Sequence, residues 1–182
     1  KRGSMNTLRM QDDAPISGVI TGSTPEHRDE RGTFAKLFSD GIPAFTDFTV
    51  RQANCVRTIE PDTLRGLHYQ TGDYAEAKIF RVLEGKAQFG IIDLRPGGSS
   101  YLKSFTLILA DPVNFLRVPR GCATGYCTLE RNTTVLYFSD NRYQPDAEKG
   151  IRYNDPVLKI GWPRKPLIIS PKDLSWPDFM NP

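Results

Sequence analysis

Short apolar runs alternate with turn residues along most of the chain, and this pattern predicts strands. The most apolar stretch predicts two strands, 78–84 and 87–94, with Glu84-Gly85-Lys86 between them as a hairpin turn. Further strands are predicted at 101–109, 113–118, 124–129 and 133–139. The turn residues between them are Asp111-Pro112, Pro119-Arg120-Gly121 and Arg131-Asn132. Strands at this spacing are typical of an all-β sandwich or barrel.

The region before residue 60 predicts three more strands, 16–21, 34–38 and 48–58, with a helical turn at 40–45. The charged loop 25–32 separates the first two. It is either a solvated turn or a place where Arg28 or Arg31 faces an anion, for which a guanidinium is well shaped. Gln52 and Asn54 are two residues apart, so they share one face of their strand. Their amides suit either recognition of a polar ligand or an ordinary edge-strand surface.

The ends of the chain are less regular. Residues 1–4 precede Met5 and are interpreted as a cloning remnant, and residues 5–15 are polar without a period, which indicates a mobile arm. Residues 16–182 then form one predicted domain. From residue 144 onward the chain is rich in proline and charge, with extended pieces at 158–161 and 167–169 and a helical turn near Lys172.

Composition narrows the class of protein. With 24 basic and 21 acidic residues the net charge is only +3, and no long block of one sign suggests a nucleic-acid partner. No apolar run is long enough for a membrane span and no signal-peptide pattern opens the chain, so we expect a cytoplasmic protein. The three cysteines, Cys55, Cys122 and Cys127, form no zinc-type pair and are interpreted as reduced, buried, small apolar residues.

Candidate chemistry begins at His68, which lies in the strand-like stretch Thr63-Leu64-Arg65-Gly66-Leu67-His68-Tyr69-Gln70. Strict alternation predicts Arg65, Leu67 and Tyr69 on one face and Gly66, His68 and Gln70 on the other. An imidazole on such a face is either a proton carrier in a cleft or a hydrogen-bonded filler.

The sequence lacks the residues that other kinds of catalytic site require. The chain has two histidines, His27 and His68, in dissimilar contexts, so a histidine-rich metal site is not expected. The sequence contains neither GxSxG nor a phosphate-binding GxxxxGK[ST] loop. What is left is acid–base chemistry by His68 with a carboxylate to orient it, a lysine or arginine to hold negative charge, and a tyrosine as an acid.

Six blocks of the sequence together resemble the dTDP-4-dehydrorhamnose 3,5-epimerase family in order and spacing. The resemblance covers about residues 16–176. The blocks are Arg65-Gly66-Leu67-His68-Tyr69-Gln70, Lys78, Pro119-Arg120-Gly121-Cys122-Ala123-Thr124-Gly125-Tyr126, Leu136-Tyr137, Gly150-Ile151-Arg152-Tyr153-Asn154-Asp155-Pro156 and Ser170-Pro171-Lys172-Asp173.

The resemblance implies a cupin-type jelly roll that acts on a nucleotide-linked 4-keto-6-deoxy sugar without metal or cofactor. It implies His68 as the base beside the ketone and Asp173 as its partner. Lys78 would stabilise the enolate, and Tyr137 would return a proton on the opposite face.

The resemblance also implies a substrate cleft and a homodimer in which an N-terminal strand crosses to the partner. Arg31 and Phe34 lie just beyond such a strand. The residues implied in substrate binding are Glu30, Arg31, Phe34, Gln52, Asn54, Arg65, Thr124 and Arg142.

Two departures from the family pattern affect specificity. The usual FAHGF block is Cys122-Ala123-Thr124-Gly125-Tyr126 here, so Thr124 replaces a pocket histidine, and Arg142-Tyr143 replaces the usual aromatic pair. These changes leave the nucleotide open between dTDP, CDP and GDP, and they suggest inversion at C3, at C5 or at both centres. The alternatives are a sugar-nucleotide 3,4-ketoisomerase and a catalytically silent nucleotide-sugar-binding cupin, whose signature would be loss of His68, Tyr137 or Asp173.

Overall fold

The computed structural model describes residues 9–11 and 14–179, which fold mainly into β-strands. The interpretation of residues 1–4 as a cloning remnant lies outside the described residues. In chain order the elements are β1 Arg9–Gln11, β2 Ile20–Ser23, β3 Glu26–Asp29, β4 Gly32–Ala35, β5 Gln52–Thr58, β6 Thr63–Gln70, β7 Lys78–Glu84, β8 Ala87–Asp93, β9 Ser104–Leu109, β10 Asn114–Val118, β11 Cys122–Thr128, β12 Thr133–Ser139, β13 Glu148–Gly150, β14 Ile168–Ile169 and the helix α1 Pro171–Leu174. Short 3₁₀ turns occupy Pro43–Phe45, Gly72–Tyr74 and Pro145–Ala147.

Two sheets pack against each other to form the core. The described strands of the first sheet have the order β1-β2-β10-β7-β12-β5, and those of the second have the order β13-β6-β11-β8-β9, with β14 parallel to β6. Between the sheets lies an apolar cluster that includes Val82, Phe89, Leu116 and Val135, all fully buried. The predicted all-β sandwich is therefore confirmed.

Each sheet is also covered on its outer face, which explains why its central strands are apolar on both sides. Phe45 and Phe48 pack over Ile79 and Phe115 behind the first sheet. Behind the second sheet, the segment after β13 packs Leu158 against Leu67 and Ile92. All seven residues of β8 are buried for this reason.

The predicted hairpin at Glu84-Gly85-Lys86 is wrong, although both of its strands exist. β7 belongs to the first sheet and β8 to the second, so this turn carries the chain across the sandwich. Gly85 has φ +77°, and a Cβ there would lie 2.5 Å from Oγ1 of Thr133. The crossing thus requires glycine for both its conformation and its lack of a side chain.

The predicted alternation in β6 is also wrong for Arg65. Thr124 of β11 faces His68 and Tyr126 faces Arg65, so three steps along β6 oppose two along β11. This irregularity inserts one extra residue, which reverses the face that the following side chains occupy. Arg65 and His68 consequently face the same space, while Leu67 and Tyr69 pack behind the sheet.

The N-terminal region contains more strand than the pattern indicated. The charged loop 25–32 is largely a hairpin, β3 paired with β4, and the strand predicted at 34–38 lies instead at Gly32–Ala35. Arg9–Gln11, within the segment predicted to be a mobile arm, pairs with β2 at the edge of the first sheet. The strand predicted at 16–21 is Ile20–Ser23.

Three further predictions differ from the structure, two about strands and one about a cysteine. The short polar strand Glu148–Gly150 was not predicted, and the extended piece expected at 158–161 is not part of a sheet. Cys55 is exposed on β5, an edge strand, whereas Cys122 and Cys127 are buried as expected. Among the described residues, no helix has the length and apolar character needed to cross a membrane.

Candidate active site

A cavity of about 460 Å³ opens between the two sheets, at the end where β14 and α1 close the sandwich. Residues from both sheets and from α1 contribute to its wall. The lining residues are Val56, Thr63, Leu64, Arg65, His68, Lys78, Phe80, Thr124, Gly125, Tyr126, Tyr137, Ile168, Ile169, Ser170, Lys172 and Asp173.

His68 and Asp173 form a hydrogen-bonded pair in this cavity. Nε2 of His68 is 2.5 Å from Oδ1 of Asp173, and the side chains are 29% and 6% exposed, respectively. Because Nε2 is engaged by the carboxylate, Nδ1 is the ring nitrogen left for a proton transfer. His68 is therefore hydrogen-bonded and also partly exposed in the cavity, and its role as a proton carrier stays a prediction.

Asp173 is held as a charged group by several donors. The backbone N–H of Gly66 donates to Oδ2 at 3.3 Å, and the N–H of Asp173 itself donates to Oγ of Ser170, the N-cap of α1. Burial favours the neutral acid, but the hydrogen bond and positive charge of His68, together with Gly66 and Ser170, hold the pKa of Asp173 below its ordinary value. The carboxylate is therefore available to stabilise an imidazolium.

Lys78 and Tyr137 approach the cavity from the first sheet. Nζ of Lys78 is 2.8 Å from Oε1 of Glu76, and Glu76 also accepts a hydrogen bond from Ser139. Burial, followed by the negative charges of Glu76 and Glu148, raises the pKa of Tyr137. At neutral pH Tyr137 thus keeps its proton, as a general acid must.

Arg65 and Thr124 complete the wall on the second sheet. Nε of Arg65 donates to Oγ1 of Thr58 at 3.3 Å, and no carboxylate among the described side chains is paired with its guanidinium. Thr124 is the direct cross-strand neighbour of His68. The structure therefore brings together, in one cavity, six of the residues expected from the sequence: His68, Asp173, Lys78, Tyr137, Arg65 and Thr124.

A smaller cavity of about 90 Å³ adjoins the first one through His68, Lys78 and Tyr137. Gln52 lines it, with Nε2 donating to Asn54 at 3.0 Å and Oε1 accepting from the N–H of Tyr143. Gln52 therefore lies at the edge of the site, whereas its hydrogen-bond partner Asn54 lines neither cavity.

Several charged residues at the site were not among the expected ones. Glu148 also lines the smaller cavity, where it accepts hydrogen bonds from Nζ of Lys172 at 2.5 Å and from the hydroxyl of Tyr143 at 2.6 Å. The sequence could have indicated Lys172 as a site residue, because it lies inside one of the six blocks that resemble the family. It could not have indicated Glu76 or Glu148, because neither belongs to a periodic segment or to one of these blocks.

Five expected residues, Asn54 and four others, line neither cavity. Glu30, Arg31 and Phe34 belong to the hairpin of β3 and β4, whose strands pair only with each other among the described strands. Arg31 forms an exposed ion pair with Asp29, and Phe34 is 65% exposed. Arg142 is exposed as well, although its carbonyl accepts a hydrogen bond from Gln70. Their role in substrate binding stays a prediction.

Comparison with known proteins identifies the family. The family model described as dTDP-4-dehydrorhamnose 3,5-epimerase matches residues 13–181. The chain belongs to this family. The epimerase of that name from Escherichia coli K12 is 38% identical over 178 residues, which cover 93% of this chain and 91% of that protein.

Solved structures of the epimerase family share the fold. The structure of dTDP-4-dehydrorhamnose 3,5-epimerase from Bacillus anthracis, with TDP and PPi bound, matches with a TM-score of 0.89 at 29% identity and covers 95% of this chain and 100% of that chain. The Legionella pneumophila enzyme in complex with dTDP-4-keto-L-rhamnose matches with a TM-score of 0.82 at 27% identity, covering 95% of this chain and 92% of that chain. The cupin-type jelly roll is therefore confirmed.

The depressed pKa of Asp173 predicts how an Asp173→Asn variant depends on pH. A carboxyl group with a folded-state pKa below its unfolded value of about 3.9 adds stability above that value and loses it as the pH falls through the folded pKa. We expect the wild type to exceed the variant in unfolding free energy at neutral pH and this difference to shrink below about pH 4. Urea unfolding of both proteins from neutral pH to below pH 4 measures this difference in unfolding free energy. A difference that stays constant with pH would contradict the prediction.

Proposed function

We propose that this chain is an isomerase that epimerises a nucleotide-linked 4-keto-6-deoxy sugar by removing a proton next to the ketone. The observation that carries the proposal is the His68–Asp173 pair in one cavity with Lys78 and Tyr137. Family membership supports it, as does the Legionella relative whose complex contains a dTDP-4-keto sugar.

In the proposed reaction, residues of the two sheets carry out different steps. Nδ1 of His68 takes the proton from the carbon beside the ketone, and the electron pair of the broken C–H bond moves into the enolate and onto the ketone oxygen. Lys78 faces that oxygen as the charge develops, where a preorganised cation stabilises the transition state most. Asp173 offsets the positive charge that His68 gains.

Inversion then requires a proton on the opposite face of the carbon. Tyr137 supplies it from β12, across the sandwich from β6. His68 then releases the abstracted proton to solvent, and solvent reprotonates the phenolate of Tyr137, which restores both groups. The raised pKa of Tyr137 and the lowered pKa of Asp173 keep both groups in the protonation states that these roles require.

The alternatives make different demands on these residues. A binding-only cupin has no need for a base, a cation and an acid in one cavity, and all three side chains are present here. A 3,4-ketoisomerase would use the same enolate but would move the carbonyl. The position of the ketone in the product separates the two activities.

Replacing His68 with alanine is expected to abolish exchange of the substrate's α-protons with solvent. The loss should be about 10²–10⁴-fold, as is usual when a general base is removed. Incubation with dTDP-, CDP- and GDP-4-keto-6-deoxy sugars in heavy water, followed by proton NMR, measures it. Lys103→Ala, at an exposed residue that lines neither cavity, is the control and should retain full exchange, and full exchange in His68→Ala would rule out the assignment.

We propose that the functional unit is a homodimer in which the β3–β4 hairpin of one chain reaches the substrate cleft of the other. Phe34 on this hairpin is 65% exposed in the single chain, and contact with a second chain would remove this large apolar side chain from water. Sedimentation velocity at micromolar concentration should give a dimer for the wild type. Phe34→Asp should dissociate it and weaken nucleotide-sugar binding, whereas the control Val157→Asp should do neither. A fully active wild-type monomer would overturn the proposal.

Thr124 is expected to favour epimerisation at one of the two carbon centres, C3 or C5, over the other. Two successive epimerisations require the ring to be held in register twice, and threonine offers a shorter donor than the histidine of the FAHGF block. Deuterium incorporation at C3 and C5 in heavy water should differ in rate by about tenfold, the scale of one lost polar anchor. Thr124→His should bring the two rates together, and equal rates in the wild type would show that Thr124 does not limit the reaction.

A further inference from the structure

Trp176, three residues after Asp173, packs against the imidazole of His68. The centroids of the two rings are 6.3 Å apart and their planes meet at 68°, an edge-to-face arrangement that aromatic pairs favour. Trp176 lines neither of the two cavities. Any effect of Trp176 on the reaction must therefore pass through the residues that it contacts.

The indole of Trp176 is itself held in place by two neighbours. Gly150 of β13 is the cross-strand partner of His68, and a Cβ at Gly150 would lie 2.2 Å from Cε2 of Trp176. The indole thus rests directly on the backbone of this glycine. Nζ of Lys172 lies 5.9 Å from the centroid of the indole ring, within reach of a cation–π interaction, and it also forms an ion pair with Glu148 of β13.

The chain is also anchored on both sides of Trp176. Before it, Asp173 of α1 is hydrogen-bonded to two residues of β6. After it, the N–H of Phe179 donates to Oδ2 of Asp155 at 2.6 Å, and Phe179 packs against the apolar cluster behind the second sheet that includes Leu158. The indole therefore has a defined position from which it can restrain a neighbouring ring.

We propose that Trp176 is a positioning residue that holds the imidazole of His68 in the orientation needed for proton abstraction. The hydrogen bond to Asp173 fixes Nε2 but lets the ring pivot about that atom, and the indole restricts this movement. A base has to keep Nδ1 aligned with the carbon, since a small misplacement of a catalytic group lowers the rate strongly. This inference rests on the proposed epimerase function, in which His68 is the base.

The substitution Trp176→Ala tests the proposal, because it removes the ring and leaves the residues that line the cavities unchanged. The exchange rate of the α-proton at saturating sugar, kcat, should fall by about tenfold, whereas KM should stay within about twofold, because the contacts of the substrate itself remain. If this variant does not fold, Trp176→Leu replaces it, with the same expected fall, because leucine fills part of the space without a planar ring.

The conservative variant Trp176→Phe should keep kcat within about twofold of the wild type, because it retains an aromatic ring beside His68. The indole N–H is buried and has no hydrogen-bond partner among the described residues, so phenylalanine loses no hydrogen bond there. A loss in Trp176→Phe as large as that in Trp176→Ala would contradict a role that depends on the ring.

Trp162 provides the matched control for the loss of an indole. It is also partly buried and rests on a glycine of the second sheet, where a Cβ at Gly90 would lie 3.0 Å from Cη2 of Trp162. Trp162 lines neither cavity. Trp162→Ala should lower the melting temperature and leave kcat and KM unchanged. An equal fall of kcat in Trp162→Ala and Trp176→Ala would indicate general destabilisation and would overturn the proposal.

The proton between His68 and Asp173 gives a second readout, in the free protein. An imidazole N–H that is held against a carboxylate and protected from exchange with water gives a low-field signal in proton NMR. The wild type and Trp176→Phe should show this signal, His68→Ala should lack it, and Trp176→Ala should broaden it. An unchanged signal in Trp176→Ala would overturn the proposal, and so would an unchanged kcat.

The two readouts separate this proposal from the proposed function. Absence of exchange with any 4-keto sugar in the wild type would reject the epimerase function. The low-field signal does not depend on turnover, so its response to Trp176→Ala would still show whether the indole restrains His68.

Discussion

The irregular pairing of β6 with β11 is the constraint on which the rest of the site depends. Gly66 lies at the extra residue, with φ +112°, and a Cβ there would come within 2.6 Å of Cα of Gly125. Only glycine permits both the conformation and the close approach of the two strands. The irregularity directs Arg65 and His68 to the same space, and it leaves the N–H of Gly66 free to donate to Asp173. One local feature of the backbone thereby orients the proposed base, His68, and anchors the carboxylate of Asp173 beside it.

Paired charges account for the electrostatic character of the cavity. Three carboxylates at the site each have a cationic or cation-forming partner, namely Asp173 with His68, Glu76 with Lys78 and Glu148 with Lys172. A buried charge without a partner would be costly, so each of these three carboxylates is accompanied by a group that carries or can gain a positive charge. Burial, followed by the negative charges of Glu76 and Glu148, raises the pKa of Tyr137 and so keeps its hydroxyl protonated. The groups that move protons and the groups that make their burial tolerable are therefore interdependent.

The local pattern of apolar and turn residues predicted where strands lie much better than it predicted which strands pair with each other. The strands at 78–84 and 133–139 were predicted to the residue, because their β-branched and aromatic runs are bounded by clear turns. The hairpin at Gly85 was wrong, since a jelly roll pairs strands that are distant in sequence and a turn carries no information about which sheet follows it. His68 and Asp173 are 105 residues apart, and no periodicity links them. Only the resemblance to a family paired them in advance, and no local signal marked the extra residue at Gly66 or the strand Glu148–Gly150.

The balance of charge in the cavity bears on the proposed homodimer. Lys78 and Lys172 are paired with carboxylates, which leaves Arg65 as the cavity-lining lysine or arginine without a carboxylate partner among the described residues. The diphosphate of a nucleotide sugar carries more negative charge than one guanidinium balances, so the proposed substrate would gain from a second cation outside the cavity. Arg31 is well suited to this, because its ion pair with Asp29 is fully exposed and such pairs contribute little stability and exchange readily. A second chain that brings its hairpin to the cavity would supply this charge and cover Phe34 at the same time.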